Sequence, residues 1–165
     1  MDAVEQYEAR HPNTYFWFDL FVNNQHQATD HPFEWWCTTF QASIGAIGHV
    51  MLVMSPWDQP TPITRSWCLW EIFSAMQAAA RIEVVIPTSQ RAQLKEKIIA
   101  YDKVVLAAIM GIDAERAEAF KPQDRDSIAQ VVTRCIGFAA LNNRVRDHLR
   151  DRYRTYDYYC PVLNN

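Results

Sequence analysis

The sequence predicts one α/β domain with a mostly parallel sheet. The chain has 165 residues, of which 49% are hydrophobic and 13% aromatic, and this is enough material for one core. Apolar runs of strand length alternate with amphipathic helical patterns along the chain. Such alternation implies right-handed crossovers and helices on both faces of the sheet.

Three short apolar runs are predicted to be strands. Residues 15–22 (YFWFDLFV) form an almost unbroken aromatic and aliphatic run, which is typical of a strand covered on both faces. Residues 49–54 and 82–86 have the same character. Residues 104–113 fit either a helix or a fourth strand.

Helical patterns separate these strands. Apolar residues at spacings of three and four run from Phe33 to Ile47, and Asp30 or the next residue is expected to cap this helix just before Pro32. After the second strand, a further apolar stripe consists of Leu69, Ile72, Phe73, Met76 and Ala80.

The remaining helices follow the third strand. Thr88 or Ser89 is expected to cap a helix that continues to Ile99. Residues 125–136 and 138–155 form two helical patterns with a bend at Gly137. The predicted domain therefore has an α/β core over residues 1–120 and C-terminal helices over residues 121–165.

Composition limits the location and partners of the protein. Its start lacks the pattern of a signal peptide, and its longest nearly apolar stretch, residues 44–54, is too short for a membrane span, so we expect a cytoplasmic protein. The four cysteines are widely spaced, which predicts reduced thiols. A net charge of -3 gives no general attraction to nucleic acid or acidic membranes, and the arginines within 142–155 are interpreted as a solvated helix face.

Ligands of parallel α/β folds bind outside the carboxyl ends of the strands, and this rule selects the candidate site residues. After the first predicted strand they are Asp19, Asn23, Asn24, Gln25 and His26, and after the second they are Ser55, Trp57, Arg65, Trp67 and Glu71.

Two carboxylates in this set each have two interpretations. Asp19 is the one charged residue in its apolar run, and it either accepts hydrogen bonds from the turn that follows or contacts a ligand. Glu71 is expected on the helix face of Trp67 and Ser74, opposite the apolar stripe. It is either a surface residue stabilised by the helix dipole or a ligand-binding carboxylate beside Trp57 and Trp67.

Several segments resemble a known family. Residues 55–57 (SPW) and 66–72 (SWCLWEI) resemble the signature of TIR domains, in which a strand leads to a helix that begins W-C-L-x-E. Residues 16–26 (FWFDLFVNNQH) resemble the WIDxxxxNQ segment of heterokaryon-incompatibility (HET) domains and of TIR-like modules fused to repeat arrays, and residues 113–149 resemble the ending of those modules. The resemblance implies a flavodoxin-like three-layer fold with extra C-terminal helices.

The resemblance also implies a reaction. In that family the glutamate of this motif is the catalytic residue of NAD hydrolases, which corresponds to Glu71 here. The reaction would break the bond between nicotinamide and ribose and leave ADP-ribose or a cyclic form, with NAD as a substrate, no permanent cofactor and no metal. The implied pocket residues are Asp19, Asn24, His26, Ser55, Trp57, Arg65 and Trp67. An alternative is an inactive signalling module, of the kind used in innate immunity, that forms homo-oligomers through TIR–TIR contacts.

The sequence departs from the family at its start. TIR domains begin with a central strand, whereas residues 1–11 here are predicted to be the end of a helix. Without that strand two neighbouring strands would have unpaired backbone groups, each costing on the order of 1 to 3 kcal/mol if buried. The two strands could pair directly, residues 1–10 could rearrange, or a second subunit could contribute.

Overall fold

The computed structural model describes residues 2–18, 33–56, 58–90 and 98–159. Within these ranges the protein is a mixed α/β structure, and none of the helices there is both long and apolar enough to span a membrane. The elements in chain order are α1 (Asp2–Arg10), α2 (Phe33–Ile47), β1 (His49–Val53), a short 3-10 helix (Thr61–Thr64), α3 (Ser66–Gln77), β2 (Arg81–Val85), α4 (Ile98–Met110), α5 (Pro122–Cys135) and α6 (Phe138–Tyr159).

The sheet consists of β1 and β2, which run parallel. They pair in register from His49 opposite Arg81 to Val53 opposite Val85, and α3 makes the crossover between them. The ladder continues past both ends, because the Arg81 N–H donates to the Gly48 carbonyl at 2.9 Å and the Met54 N–H donates to the Val85 carbonyl at 2.8 Å. The second and third predicted strands are therefore confirmed to within one residue.

The first predicted strand, residues 15–22, is wrong over its described half. Residues 15–18 adopt no regular secondary structure, and residues 19–22 lie outside the described residues. Individual rings in this segment pack on neighbouring elements instead, with the Phe16 ring 5.8 Å from the Tyr7 ring and the Trp17 ring 5.4 Å from the Phe40 ring. These rings give the segment its strand-like pattern, but the described part of the sheet has two strands.

Most predicted helices are confirmed. The stripe on α2 is buried at Cys37, Phe40 and Ile44, although the predicted cap at Asp30 lies outside the described residues. Gly48 ends α2 with a φ of 71°, and its N–H donates to the Ile44 carbonyl at 2.8 Å. This left-handed position favours glycine. The ambiguous residues 104–113 are helical as far as Met110.

The predicted N-terminal helix is confirmed as α1, which lies along one face of the sheet. Its first residue, Asp2, accepts a hydrogen bond from the Ser89 N–H at 2.7 Å, and this bond lowers the pKa of the Asp2 carboxyl. At its other end, Arg10 lies 3.6 Å from the Glu83 carboxylate of β2. Helix α1 therefore runs antiparallel to β2.

The main core lies on the opposite face of the sheet. It contains the even-numbered strand residues Leu52, Ile82 and Val84. Helices α3 and α6 pack on β2, and α4 and α5 pack against those two helices. The start of α3 is anchored here, because the Ser66 hydroxyl donates to the Ala117 carbonyl at 2.9 Å. The other most deeply buried members of this core are Leu69, Ile72, Ala75, Ile109, Ile112, Val132, Leu141, Val145 and Leu149.

We predict that Ile72→Ala lowers the free energy of unfolding by about 2 to 5 kcal/mol, because the side chain is 1% exposed and its removal leaves a cavity in the core. The matched control is Ile47→Ala, at a position that is 52% exposed, where we expect a loss below about 1 kcal/mol. Urea unfolding of the two variants measures both values, and equal losses would contradict the assignment of the core.

Candidate functional site

A cavity of about 380 Å³ runs along the outer edge of β1. Residues 14–18, the inner side of α2, the first half of β1 and Glu71 of α3 form its walls, together with Tyr7 of α1. Its volume is at the lower end of the range of small-molecule sites. The described residues that line it are Tyr7, Thr14, Tyr15, Phe16, Trp17, Phe18, Phe40, Ile44, Ile47, His49, Val50, Met51 and Glu71.

Glu71 reaches this cavity because α3 is buried on two faces. Leu69 and Ile72 pack into the main core, and Glu71 lies on the opposite side of the helix, as the sequence predicts. That side is not solvent-exposed, since α3 packs there against α2 and Ser74, one turn after Glu71, is 1% exposed. Glu71 is half-buried, and among the described lining residues it alone has a carboxylate.

A series of aromatic rings connects α3 with residues 14–18. The Trp67 ring lies 5.9 Å from the Phe40 ring in the cavity wall, and Phe40 in turn contacts Trp17. The Trp67 indole N–H donates to the Asp124 carboxylate at 3.1 Å, and this bond fixes the ring orientation. Trp67 is therefore one turn before Glu71 and packs behind the cavity wall, on Phe40.

The structure separates two other predicted residues from this cavity. Ser55 follows the carboxyl end of β1 and accepts a hydrogen bond from the Gln90 side-chain amide at 2.6 Å. Arg65 immediately precedes α3 and forms an isolated parallel β-bridge with Glu118 through backbone hydrogen bonds of its neighbours Thr64 and Ser66. The Glu71 cavity instead lies beside the first half of β1. The predicted residues Asp19, Asn24, His26 and Trp57 lie outside the described residues.

Sequence reasoning missed a polar cluster at one end of this cavity. The Tyr7 hydroxyl lies 3.3 Å from Nδ1 of His49, and Nε2 of His49 lies 3.5 Å from the Glu83 carboxylate. The second distance is an electrostatic contact and is too long for a good hydrogen bond. Glu83 also pairs with Arg81 at 3.0 Å. The three elements α1, β1 and β2 meet here, so the sequence separation of these residues hid the cluster.

His49 is held mainly in its neutral form. Burial lowers its pKa below the ordinary value of 6.5, and the positive charge of Arg81 lowers it further, while Glu83 acts in the opposite direction. The imidazole in the cavity wall is therefore neutral at neutral pH. An Nε2–H facing Glu83 would leave Nδ1 to accept a hydrogen bond from the Tyr7 hydroxyl.

The cysteine thiols and a second, smaller cavity are weaker candidates for a functional site. Cys37, Cys68 and Cys135 are free, as predicted, and Cys160 lies outside the described residues. Burial raises the pKa of the Cys37 thiol to about 12, so it is not a thiolate at neutral pH. A cavity of about 180 Å³ between α3, α5 and α6 is smaller than usual ligand sites. In the described part, no group of three or more histidines, cysteines and acidic residues is placed to hold a metal.

Comparison with models of protein families, with curated proteins and with solved structures gives no match. The similarity of residues 16–26, 55–57, 66–72 and 113–149 to TIR motifs therefore stays a prediction from the sequence.

We predict that His49 makes stability fall as the pH drops below about 6.5. The folded-state pKa lies below the unfolded value, so in that window the unfolded chain binds more protons than the folded chain. Above this window the imidazole is neutral in both states and its contribution is constant.

Urea unfolding of the wild type and of His49→Asn between pH 5 and 8 measures this effect. We expect the variant to lose part of the pH dependence, because it lacks the imidazole that takes up a proton on unfolding. Identical pH profiles for the wild type and His49→Asn would refute the prediction.

Proposed function

We propose that the protein is a TIR-like NAD glycohydrolase that cleaves the bond between nicotinamide and ribose, with Glu71 as the catalytic residue. The observation that carries this proposal is the position of Glu71 in the wall of a cavity of ligand size, whose other walls are mainly aromatic and aliphatic. The WCLWE motif that contains Glu71 supports the same assignment. NAD, or a related nucleotide, is the substrate.

The proposed chemistry needs one well-placed carboxylate. Cleavage of the N-glycosidic bond develops positive charge on the ribose, and a carboxylate beside that ring stabilises the charge and holds the ribose hydroxyls. Nicotinamide leaves as a neutral group, so the reaction requires no strong general acid. Water then adds to the ribose carbon and releases a proton to solvent, which gives ADP-ribose; attack by an adenine nitrogen gives the cyclic form instead. Apolar walls strengthen this electrostatic stabilisation, because they screen the carboxylate less than bulk water does.

The aromatic side chains give the nucleotide bases surfaces for stacking. Tyr7, Phe16 and Trp17 line the cavity on the side of α1 and residues 14–18, and Phe40 lines it from α2. A planar nicotinamide or adenine ring gains stacking energy on such rings, of the order of 1 to 3 kcal/mol per base. Trp57, which the family resemblance also implies, lies outside the described residues.

The parallel β1–α3–β2 unit, with helices on both faces, supports the finer proposal of a flavodoxin-like three-layer fold. We extend the proposal to a cytoplasmic location on the composition described above. The implied pocket residues Asp19, Asn24, His26 and Trp67 remain part of this proposal, whereas Ser55 and Arg65 do not line the Glu71 cavity.

We predict that the purified protein releases nicotinamide from NAD and that Glu71→Gln lowers the rate by at least about a hundredfold, because the amide carries no charge to stabilise the transition state. Liquid chromatography of the reaction mixture measures the nicotinamide.

The matched control is Glu8→Gln, the same change at an exposed position of α1, which should leave the rate unaltered. Thermal unfolding of both variants checks that they fold. Continued turnover by folded Glu71→Gln would remove Glu71 from the catalytic role.

The alternative function is a catalytically inactive TIR-like signalling module that self-assembles. The exposed aromatic surface favours it, since Tyr15 is 96% exposed and Trp17 and Phe18 are also exposed. Contiguous apolar surface of this kind marks interaction sites. Under this alternative the molecular mass in solution rises with concentration, and NAD incubated with the protein remains intact.

A further inference from the structure

A buried tyrosine hydroxyl lies at the end of the Glu71 cavity where α1 meets the sheet. Tyr7 is 7% exposed, and it lines the cavity together with His49. Within the described part of the chain, its hydroxyl has one hydrogen-bond partner, Nδ1 of His49 at 3.3 Å. The direction of this one bond decides which kind of ligand group the hydroxyl can bind.

The carboxylate of Glu83 fixes that direction through the imidazole of His49. Glu83 pairs with Arg81 at 3.0 Å and with Arg10 at 3.6 Å. Nε2 of His49 lies 3.5 Å from the same carboxylate. A proton on Nε2 is attracted to the carboxylate, whereas a lone pair there would be repelled by it, so the neutral imidazole carries its proton on Nε2.

Nδ1 of the neutral imidazole is then an acceptor, and the Tyr7 hydroxyl donates to it. The neutral form prevails at neutral pH because burial lowers the pKa of His49. A phenolic hydroxyl has one proton, and its oxygen also accepts hydrogen bonds. With the proton directed to His49, the Tyr7 oxygen can only accept, and no donor from the described part of the chain bonds to it.

Neighbouring groups hold the Tyr7 ring in place and continue its aromatic surface. The His11 ring lies 4.5 Å from the Tyr7 ring, and the Arg10 guanidinium lies 5.8 Å from the ring centre. Phe16 and Phe18, whose rings are 6.3 Å apart, extend the aromatic wall of the cavity from there. This end of the cavity therefore combines stacking surfaces for a flat ring with one fixed acceptor for a substituent of that ring.

We propose that Tyr7 and His49 determine specificity for the nicotinamide ring, and that the Tyr7 oxygen accepts a hydrogen bond from the N–H of its primary amide. The inference rests on the proposed function for the identity of the ring, because nicotinamide is the base attached to the ribose beside Glu71. Nicotinic acid has no such N–H, and its carboxylate would approach a lone pair that has the Glu83 carboxylate behind it. The site therefore selects the amide over the acid, because a site built around a hydrogen bond rejects an analogue that lacks the donor.

Binding of the free bases, with no NAD present, tests this inference apart from catalysis. In 3-acetylpyridine a methyl group replaces the amide nitrogen of nicotinamide, so the two bases differ only in the proposed donor. We expect the wild type to bind nicotinamide about two- to tenfold more tightly than 3-acetylpyridine, and nicotinic acid most weakly of the three. NMR titration of the protein with each base measures the dissociation constants.

Two variants should remove this preference in different ways. Tyr7→Phe keeps the ring and removes the hydroxyl, so it should weaken binding of nicotinamide and leave that of 3-acetylpyridine unchanged. His49→Leu releases the hydroxyl to donate to the carbonyl that both bases carry, so it should strengthen binding of 3-acetylpyridine. The matched control is Thr88→Val, which removes the hydroxyl that bonds to Gln6 of α1 outside the cavity wall and should keep the preference.

Thermal unfolding checks that the variants fold, and either Tyr7→Phe or His49→Leu alone decides the question because they act on different bases. A wild type that binds neither base, or binds both equally, would overturn the inference. Equal weakening of both bases by Tyr7→Phe would also overturn it, since that result reports only a structural role. Failure of the catalytic proposal looks different: NAD stays intact, while the wild type still prefers nicotinamide and Tyr7→Phe does not.

Discussion

Helix α3 packs on two sides at once, and the position of the candidate site depends on this double burial. Leu69 and Ile72 enter the main core, where burial of each side chain contributes about 1.5 to 3 kcal/mol. The opposite side of the helix meets α2, with Trp67 against Phe40. Neither side can turn to solvent without loss of core contacts, so the backbone of Glu71 is held beside the cavity.

The candidate site lies along the edge of β1 that faces away from β2. Residues 14–18 form the outer wall of the cavity there, and Glu71 lines it from α3. The neutral His49, held between Tyr7 and Glu83, adds a polar group at the end where α1 meets the sheet.

Sequence periodicity correctly predicted the elements in which the spacing of apolar residues matches the buried side. The stripes of α2 and α3 and the apolar runs of both strands are such elements. The pattern failed at residues 15–18, because a run of aromatic residues looks the same whether its rings fill a sheet or pack singly on neighbouring helices. It also gave the correct face for Glu71 without showing that α2 covers that face.

The polar cluster of Tyr7, His49 and Glu83 could not be predicted from the sequence, for a different reason. Its members come from three elements, and their contact depends on how α1 crosses the sheet, which no local pattern encodes. The rule that ligands bind beyond the carboxyl ends of strands selected Ser55 and Glu71 together. The structure separates them, because Glu71 is in the second turn of α3 and lies beside the first half of β1.

A crystal structure of the protein with a non-hydrolysable NAD analogue tests the central claim most directly. The account predicts that the nicotinamide ribose lies in the cavity beside β1, with its hydroxyls within hydrogen-bond distance of the Glu71 carboxylate. An analogue bound at a site remote from Glu71, or no binding at saturating concentration, would contradict it.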